Sequence, residues 1–414
     1  MKNLTIRTIT GGFNYENYTG KEYADNVINL FSYALETFDK SDIKVRTTRL
    51  NLPVFGQNTA IDNKKIFSLI DNLNTICLKN EIRWICAPFD TFDNDLKRLN
   101  SEVIEIIKRF NNVFINYLVV KKNKINRNGL RYSAKLIKSI SNLSNTGYDN
   151  FRFGASFNCV PNTPFFPFTY QEGDDGFSIS MELIEPINNI VNSNKTTDLN
   201  IIREEIINKI SPELIKINDL CLSIANRTNK RFYGIDISLA PYPDSDKNSM
   251  GRLIESFGID SFGSPGTLFF TGFLTNILKS LIHESQIKST GFNGVMYSLL
   301  EDTGLGKNSS TKEFSIDSLI SYSTVCGCGI DMVPVPGDCF EEELSSLMLD
   351  IATLSILLDK PLGVRILPIP MKRVNEFTEF SHDFLTNSRI QDLKNKMCSS
   401  DHFDSSNPFS FKNY

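Results

Sequence analysis

The chain has 414 residues, 41% hydrophobic and 22% charged, with 44 lysines and arginines against 48 acids and a net charge of −4. That usage is enough to bury a large core, and with neither sign gathered into one half, nucleic acid is not expected as a partner. The opening MKNLTIRTIT is polar and alternating where an export signal needs an apolar stretch, and the apolar run SLMLDIATLSILL carries Asp350 inside it, so no membrane span and a cytoplasmic location are expected.

In chain order, candidate strands fall at 3–9, 43–50, 83–88, 113–120, 151–160, 231–240, 294–300, 330–335 and 362–369, as short β-branched and aromatic runs. Between them, 21–38, 61–79, 92–110, 131–144, 200–228, 267–283 and 339–358 carry apolar residues at three- and four-residue spacing. Alternation of this kind predicts an α/β fold, a large closed or nearly closed barrel of about ten mostly parallel strands surrounded by helices. Residues 1–392 read as one α/β barrel domain, and 393–414 as a polar tail expected to be disordered. The turns CVPNTPFFP, LAPYPD, LLEDTG, VPVPGD and LPIPMK end strands. Ligands of parallel α/β folds sit at carboxyl ends of strands, so these turns are expected to be neighbours.

Several chemistries lose their support. His283, His382 and His402 form no ligand pair at helical spacing. Gly304-Leu-Gly-Lys307 lacks the upstream glycine of a P-loop and has Asn308 where Ser or Thr belongs. No Gly-x-Gly-x-x-Gly follows a candidate strand, and no Gly-x-Ser-x-Gly elbow is present. The eight cysteines, Cys77, Cys86, Cys159, Cys221, Cys326, Cys328, Cys339 and Cys398, are scattered without dense spacing, which suits reduced thiols.

Carboxylates at strand ends remain. Glu301 and Asp302 follow VMYSLL, Asp331 opens a strand, Asp338 closes the turn after it, and Asp236 lies within GIDISLA. Converging acids suggest a hard divalent cation, Mg²⁺, Mn²⁺ or Ca²⁺. Plainer readings stand beside this one: Asp338 with Glu341 is the sequence of a helix cap, and Asp236 is a buried acid satisfied by amides. Ser264 and Pro265 read as the cap and first residue of a helix, so Gly266 and Thr267 would bring free amide groups toward an anion, or simply make a tight turn. Cys326-Gly-Cys-Gly329 is either a thiol pair for metal or redox work or a turn with buried thiols.

The runs Val325-Cys-Gly-Cys-Gly-Ile-Asp-Met-Val-Pro-Val-Pro-Gly-Asp338, Phe262-Gly-Ser-Pro-Gly-Thr-Leu268, Ile6-Arg-Thr-Ile-Thr10 and Asn387-Ser-Arg389 together resemble the domain-of-unknown-function family 711, also called uncharacterised protein family 0210. The resemblance covers roughly residues 1–392 and implies a barrel similar to that of glycyl-radical enzymes of the pyruvate formate-lyase type. It implies roles for Glu301, Asp302, Asp331 and Asp338, and for Glu172 in a Glu-Gly element, although Gln171 stands where His is usual. Pro370-Met-Lys372 departs from the family's Pro-Gly-Lys, leaving Lys372 and Arg365 as cations for an anionic group. No Arg-Val-x-Gly-Tyr-like segment near the C-terminus hosts a radical, so radical activity is not expected.

The function expected is that of a divalent-metal-dependent enzyme acting on a small anionic metabolite, such as a hydrolase of phosphate esters. Glu301, Asp302, Asp331, Asp338 and Asp236 would serve the cation, Glu172 and Glu301 the proton transfers, and Ser264, Gly266, Thr267, Arg365 and Lys372 the anion. The alternative is a metabolite-sensing or partner-binding protein that kept the barrel without chemistry; self-association stays open.

Overall fold

A computed structural model describes residues 4–14, 20–56, 63–92, 95–393 and 408–411. The strands are β1 (Thr5–Gly12), β2 (Thr48–Asn51), β3 (Trp84–Asp90), β4 (Val113–Lys121), β5 (Lys124–Ile125), β6 (Phe153–Phe157), β7 (Gly176–Glu182), β8 (Arg231–Asp236), β9 (Gly329–Pro336) and β10 (Leu362–Ile369). The helices are α1 (Gly20–Lys40), α2 (Asn63–Lys79), α3 (Leu96–Arg109), α4 (Arg127–Ser141), α5 (Ile184–Ser193), α6 (Leu199–Thr228), α7 (Met250–Glu255), α8 (Thr267–Ser285), α9 (Thr303–Asn308), α10 (Ile316–Tyr322) and α11 (Glu341–Leu357). Helices form where the apolar stripe has the 3.6 period: α3 buries Leu96, Leu99, Val103, Ile106 and Ile107, and Asp95 caps it by accepting from the amides of Lys97 and Arg98.

One ten-stranded sheet, bordered by helices, runs in the order β8-β7-β1-β2-β3-β4-β6-β10-β9, with β5 paired to β4. It consists of two parallel groups. β1, β2, β3, β4 and β6 run one way, while β7 with β8 and β9 with β10 run the other; the groups join antiparallel at β1–β7 and β6–β10. The strands are buried almost throughout, which is why they read as apolar runs.

Of the closed or nearly closed barrel expected, the ten-stranded, mostly parallel sheet surrounded by helices is present, but hydrogen bonds do not close it, and its edges are β8 and β9. The candidate strand at 294–300 forms no ladder. Residues 288–298 instead meet β8 and the chain just beyond it at the isolated bridges Ile235–Ser289 and Leu239–Val295, and meet β9 at Ser298–Asp331. A positive φ of 83° at Gly291 and the short turn Leu299–Glu301 break the extended run. The strand β7 was not anticipated, because Ser178 and Ser180 put a polar residue at alternate positions of a strand that is buried on both faces. Of the expected tail, residues 394–407 and 412–414 lie outside the described residues; Phe409 pairs with Ile125 through two backbone hydrogen bonds of 2.7 and 3.0 Å.

The sheet wraps the buried segment 162–169. Thr10 donates to the Pro164 carbonyl (3.1 Å), Asn51 to Thr169 Oγ1 (3.0 Å), Asn116 to the Thr169 carbonyl (3.1 Å) and the Cys86 thiol to the Pro167 carbonyl (3.2 Å). The Phe168 ring lies so close to Gly154 and Gly363 that a Cβ at either would meet it at 2.6 or 2.5 Å.

Asp236 ties residues 288–298 to the β8 edge. Its Oδ1 accepts from the Ser238 amide (2.8 Å), the Ser238 hydroxyl (2.6 Å) and the Asn293 amide (3.2 Å), and its Oδ2 from the Phe292 amide (2.8 Å). A Cβ at Gly291 would fall 2.1 Å from Oδ2. Burial pushes this carboxyl up to about 6, against the pull of those four donors. With the folded value raised, its contribution to stability is complete below pH ~4 and is lost as pH rises through about 6. The stability of the protein minus that of Asp236→Asn is therefore expected to fall by on the order of 3 kcal/mol between pH 4 and 7.5 in urea titrations. A difference that stays flat across this range contradicts the assignment.

Candidate functional site

Because the two strand groups run in opposite directions, one end of the sheet gathers amino-terminal ends of the first group and the carboxyl end of β8. Arg7 of β1, Arg49 of β2, and Arg83 with Trp84 at the start of β3 meet Ala240–Tyr242 beyond β8, and Glu301, Asp331 and Arg365 complete the wall. Phe114, Phe151, Phe165, Phe166, Phe168 and Phe292 supply an apolar lining. The cavity volume, measured to the centres of water molecules, is about 60 Å³. One water needs roughly 10–15 Å³ on that measure, so the space suits a small metabolite rather than a nucleotide.

Two carboxylates share one arginine. Arg365 donates through Nε and Nη2 to the two oxygens of Asp331 (Nη2 at 2.7 Å) and through Nη2 to Glu301 Oε2 (2.7 Å), which also accepts from the Ser298 hydroxyl at 2.6 Å. Burial pushes the Asp331 carboxyl up while Arg365 pulls it down, and burial prevails. At Glu301 burial also acts upward, but Arg365 and Arg7 overcome it and hold the carboxyl below its usual range. Arg46 is likewise paired, bidentate with Glu182 at 2.5 and 2.8 Å.

Among the described residues Arg49 has no such partner. It is 6% exposed, and its Nε is a buried donor without an acceptor. Its guanidinium stacks over Trp84 (4.6 Å) and Phe166 (5.4 Å), and burial, reinforced by Arg7, pushes its ionisation well below the ordinary value. Arg7 spends Nη1 on the Ala240 carbonyl (3.1 Å), and Arg83 lies over Phe384 (4.0 Å) and Trp84 (5.0 Å). Among the described residues, neither Arg7 nor Arg83 makes a salt bridge to a carboxylate. Three guanidinium groups thus face a small aromatic chamber without, among the described residues, a direct ion pair, although Glu301 acts on Arg7 and Arg49 at longer range. Such an arrangement can pair with an anion that carries an apolar or flat part.

The residues expected to serve a cation separate. Glu301 and Asp331 come together on Arg365, as does the expected contact of Arg365 with the site. Asp302 caps α9, accepting from Leu305 (3.0 Å), and ties α7 through Met250 (2.7 Å) and the Ser249 hydroxyl. Asp236 is engaged by the amides already described. Asp338 is exposed, and the helix it was read as capping begins later: Phe340 is the cap, with Glu343 Oε2 accepting from its amide at 2.8 Å. Among the described residues no three of His, Cys, Asp and Glu group as metal ligands. The oxygens of Asp236, Asp302 and Asp331 already accept hydrogen bonds, so this donor set does not fit a hard cation.

The expected anion contacts move as well. Ser264 is not the helix cap; Gly266, with φ 104°, is, and Ser264 faces Glu313 at 3.3 Å, an arrangement that disfavours an anion there. Thr267 turns its hydroxyl to the Ser264 carbonyl at 2.8 Å. Lys372 is paired with Glu379 at 2.6 Å, in a turn whose carbonyl accepts from Gly337. Glu172 is exposed on the loop before β7, so neither it, Ser264, Gly266, Thr267 nor Lys372 lines the arginine cavity. Arg7, Arg49 and Arg83 were missed by looking only at carboxyl ends. Their signal was present: an arginine at or near the start of three successive strands, in IRTIT, TRLN and RWICAP.

The family described as uncharacterised ACR (DUF711) matches residues 1–387. A UPF0210 protein of Desulforudis audaxviator is 32% identical over 184 residues, 44% of this chain and 40% of that relative. One from Pyrobaculum arsenaticum is 25% identical over 257 residues, 61% of this chain and 56% of the relative, so these two alignments span about half of each relative's length. A UPF0210 protein of Carboxydothermus hydrogenoformans aligns more fully, 24% identical over 411 residues, 92% of this chain and 88% of the relative. With the match running through both groups of strands and the arginine cavity at their common end, the chain belongs to the DUF711 family.

Proposed function

We propose that the protein is an enzyme that binds a small anionic metabolite with a flat or apolar body in the arginine cavity, and that Glu301 exchanges a proton with it. The observation that carries this reading is Arg49, buried and uncompensated in an aromatic chamber. An anion entering would pair with Arg49, Arg7 and Arg83, while its body replaces water against the phenylalanines. Glu301 is bound through Oε2 alone among the hydrogen bonds described above, which leaves Oε1 for a substrate proton, and Arg365 fixes its orientation. Hydrolysis of a phosphate ester is a narrower form of the same proposal; its divalent-cation-assisted version competes with it and is decided by the Mn²⁺ comparison below. For the architecture we infer a barrel of the glycyl-radical-enzyme kind. Its support is the pair of parallel groups joined antiparallel, with residues 288–298 lying across the gap.

Removing an unpaired buried charge should stabilise the empty protein while abolishing its ligand. Arg49→Met is expected to unfold about 1–3 kcal/mol later than the parent without anion. Phenyl phosphate at a hundred times its Kd is expected to add about 2.7 kcal/mol to the parent and nothing to the variant. Equal stabilisation of both by phenyl phosphate, or of neither, contradicts the cavity as the anion site.

Catalysis is separated from sensing at Glu301. Glu301→Gln is expected to keep the phenyl phosphate shift within a factor of about three in Kd and to lose at least about 100-fold in turnover of any substrate found by screening anionic metabolites. Turnover unchanged in that variant removes the proton-transfer role.

The engaged carboxylates give a third expectation: melting curves in Mn²⁺, Mg²⁺ and EDTA superimpose. A rise in Mn²⁺ that Glu301→Gln removes would instead support the metal-dependent hydrolase.

A further inference from the structure

The sequence Cys326-Gly-Cys328 lies where two cavities meet. Cys328 faces the arginine cavity, and Cys326 lines a second, more open one of about 480 Å³ by the same measure, together with Thr275, Lys279, Asn293 and Lys360; Phe292 borders both. The loop is held there by backbone fit. The Gly327 amide donates to the Val295 carbonyl at 2.7 Å, the Cys326 amide to the Tyr322 carbonyl at 2.7 Å, and a Cβ on Gly327 would stand 2.7 Å from the Cα of Gly294. Only glycine at both positions permits that approach.

The two free thiols are hydrogen-bonded, Cys328 donating to Cys326 Sγ, and the Tyr297 amide donates to Cys328 Sγ at 3.3 Å. The ammonium of Lys360 is drawn into the same turn, donating to the carbonyls of Ser323 (3.0 Å) and Cys326. All seven cysteines among the described residues are free thiols, and at this pair two hydrogen-bonded thiols lie beside the half-buried ammonium of Lys360.

We propose that Cys326 and Cys328 form a thiol–disulfide exchange site, in which Cys326 takes a low-molecular-weight disulfide from the second cavity and Cys328 resolves it at the wall of the arginine cavity. The Cys326 thiolate attacks one sulfur of the small disulfide, breaking its S–S bond and releasing one thiol, which takes up a proton. Cys328, giving its proton to solvent, then attacks Cys326 Sγ. The mixed disulfide breaks, the second thiol leaves and takes a proton, and the Cys326–Cys328 bond forms. One small disulfide is reduced to two thiols, and the protein dithiol is oxidised. Residues two apart lie within about 7 Å even when extended, within reach of a disulfide but under strain, which makes the bond readily reversible. The hydrogen bond from Cys328 and the charge of Lys360 favour the thiolate at Cys326 and the thiol at Cys328, which assigns the order of attack. The inference stands apart from the anion reading, because it needs no occupant in the arginine cavity.

The test uses the full chain carrying Cys398→Ser, so that this sulfur, outside the described residues, adds no signal. Reduced protein is exposed to oxidised glutathione at pH 7 and followed by intact mass and peptide mapping. The parent is expected to become 2 Da lighter with Cys326 linked to Cys328, an exact consequence of losing two hydrogens. Cys328→Ser is expected to be trapped as a glutathione adduct at Cys326, and Cys326→Ser to stay unmodified. Iodoacetamide on the unsubstituted protein gives a second reading, with Cys326 alkylated at least about tenfold faster at pH 7 than Cys86 or Cys221, and half-maximal below the ~8.5 of a free thiol. A parent that forms no Cys326–Cys328 bond, adducts on Cys328 rather than Cys326, or alkylation of Cys326 no faster than that of the buried thiols each overturns the proposal.

Discussion

A guanidinium buried without an ion-pair partner among the described residues is the constraint from which the rest of this site follows. Taking an ion out of water costs several kcal/mol even after relaxation, and a hydrogen-bonded carboxylate is the usual remedy. The chain has carboxylates at hand and assigns them elsewhere: Asp331 and Glu301 to Arg365, and Glu182 to Arg46. Among the described residues Arg49 makes no ion pair; it stacks on the faces of Trp84 and Phe166, worth about 0.5–2 kcal/mol each, with Glu301 acting at longer range, which falls short of the cost. The shortfall is what a bound anion would make good.

The reversed strand groups explain why Arg7, Arg49 and Arg83 share one place with the chain beyond β8. In a sheet whose strands all point one way, residues at amino-terminal ends and residues beyond carboxyl ends stand on opposite rims. Here the antiparallel joins at β1–β7 and β6–β10 put both on one rim. The buried segment 162–169 then fills the interior beneath them and supplies three of the rings, Phe165, Phe166 and Phe168. Its hold on Thr10, Asn51, Cys86 and Asn116 makes the cavity floor part of the sheet rather than a loose loop. Asp236 does the corresponding work at the open edge, where residues 288–298 replace a ladder with two isolated bridges and a carboxylate.

Much of this fold was legible in the sequence. Candidate strands at 83–88, 113–120, 330–335 and 362–369 coincide closely with β3, β4, β9 and β10, because a strand buried on both faces writes itself as an apolar run. Candidate helices at 200–228 and 267–283 match α6 and α8 nearly to the residue. What the sequence obscured has physical causes. β7 was hidden by buried serines, and the 294–300 run reads as a strand although Gly291 and the turn at Leu299–Glu301 break the extended run. At the site, Glu301, Asp331 and Arg365 were legible as charged residues in apolar strands. Their partners were not: carboxylates that look free in one dimension are, in three, an amide clamp at Asp236, a helix cap at Asp302 and an exposed turn at Asp338. Strand polarity decided which rim carries the cavity, and polarity between distant strands is not written in local periodicity.

The account rests on an anion seated between Arg7, Arg49 and Arg83. Crystals soaked in selenate and measured at the selenium edge would locate that charge directly. An anomalous peak within hydrogen-bonding reach, about 2.7–3.2 Å, of the Arg49 guanidinium is the result predicted. An empty cavity with selenate ordered only elsewhere on the molecule would contradict it.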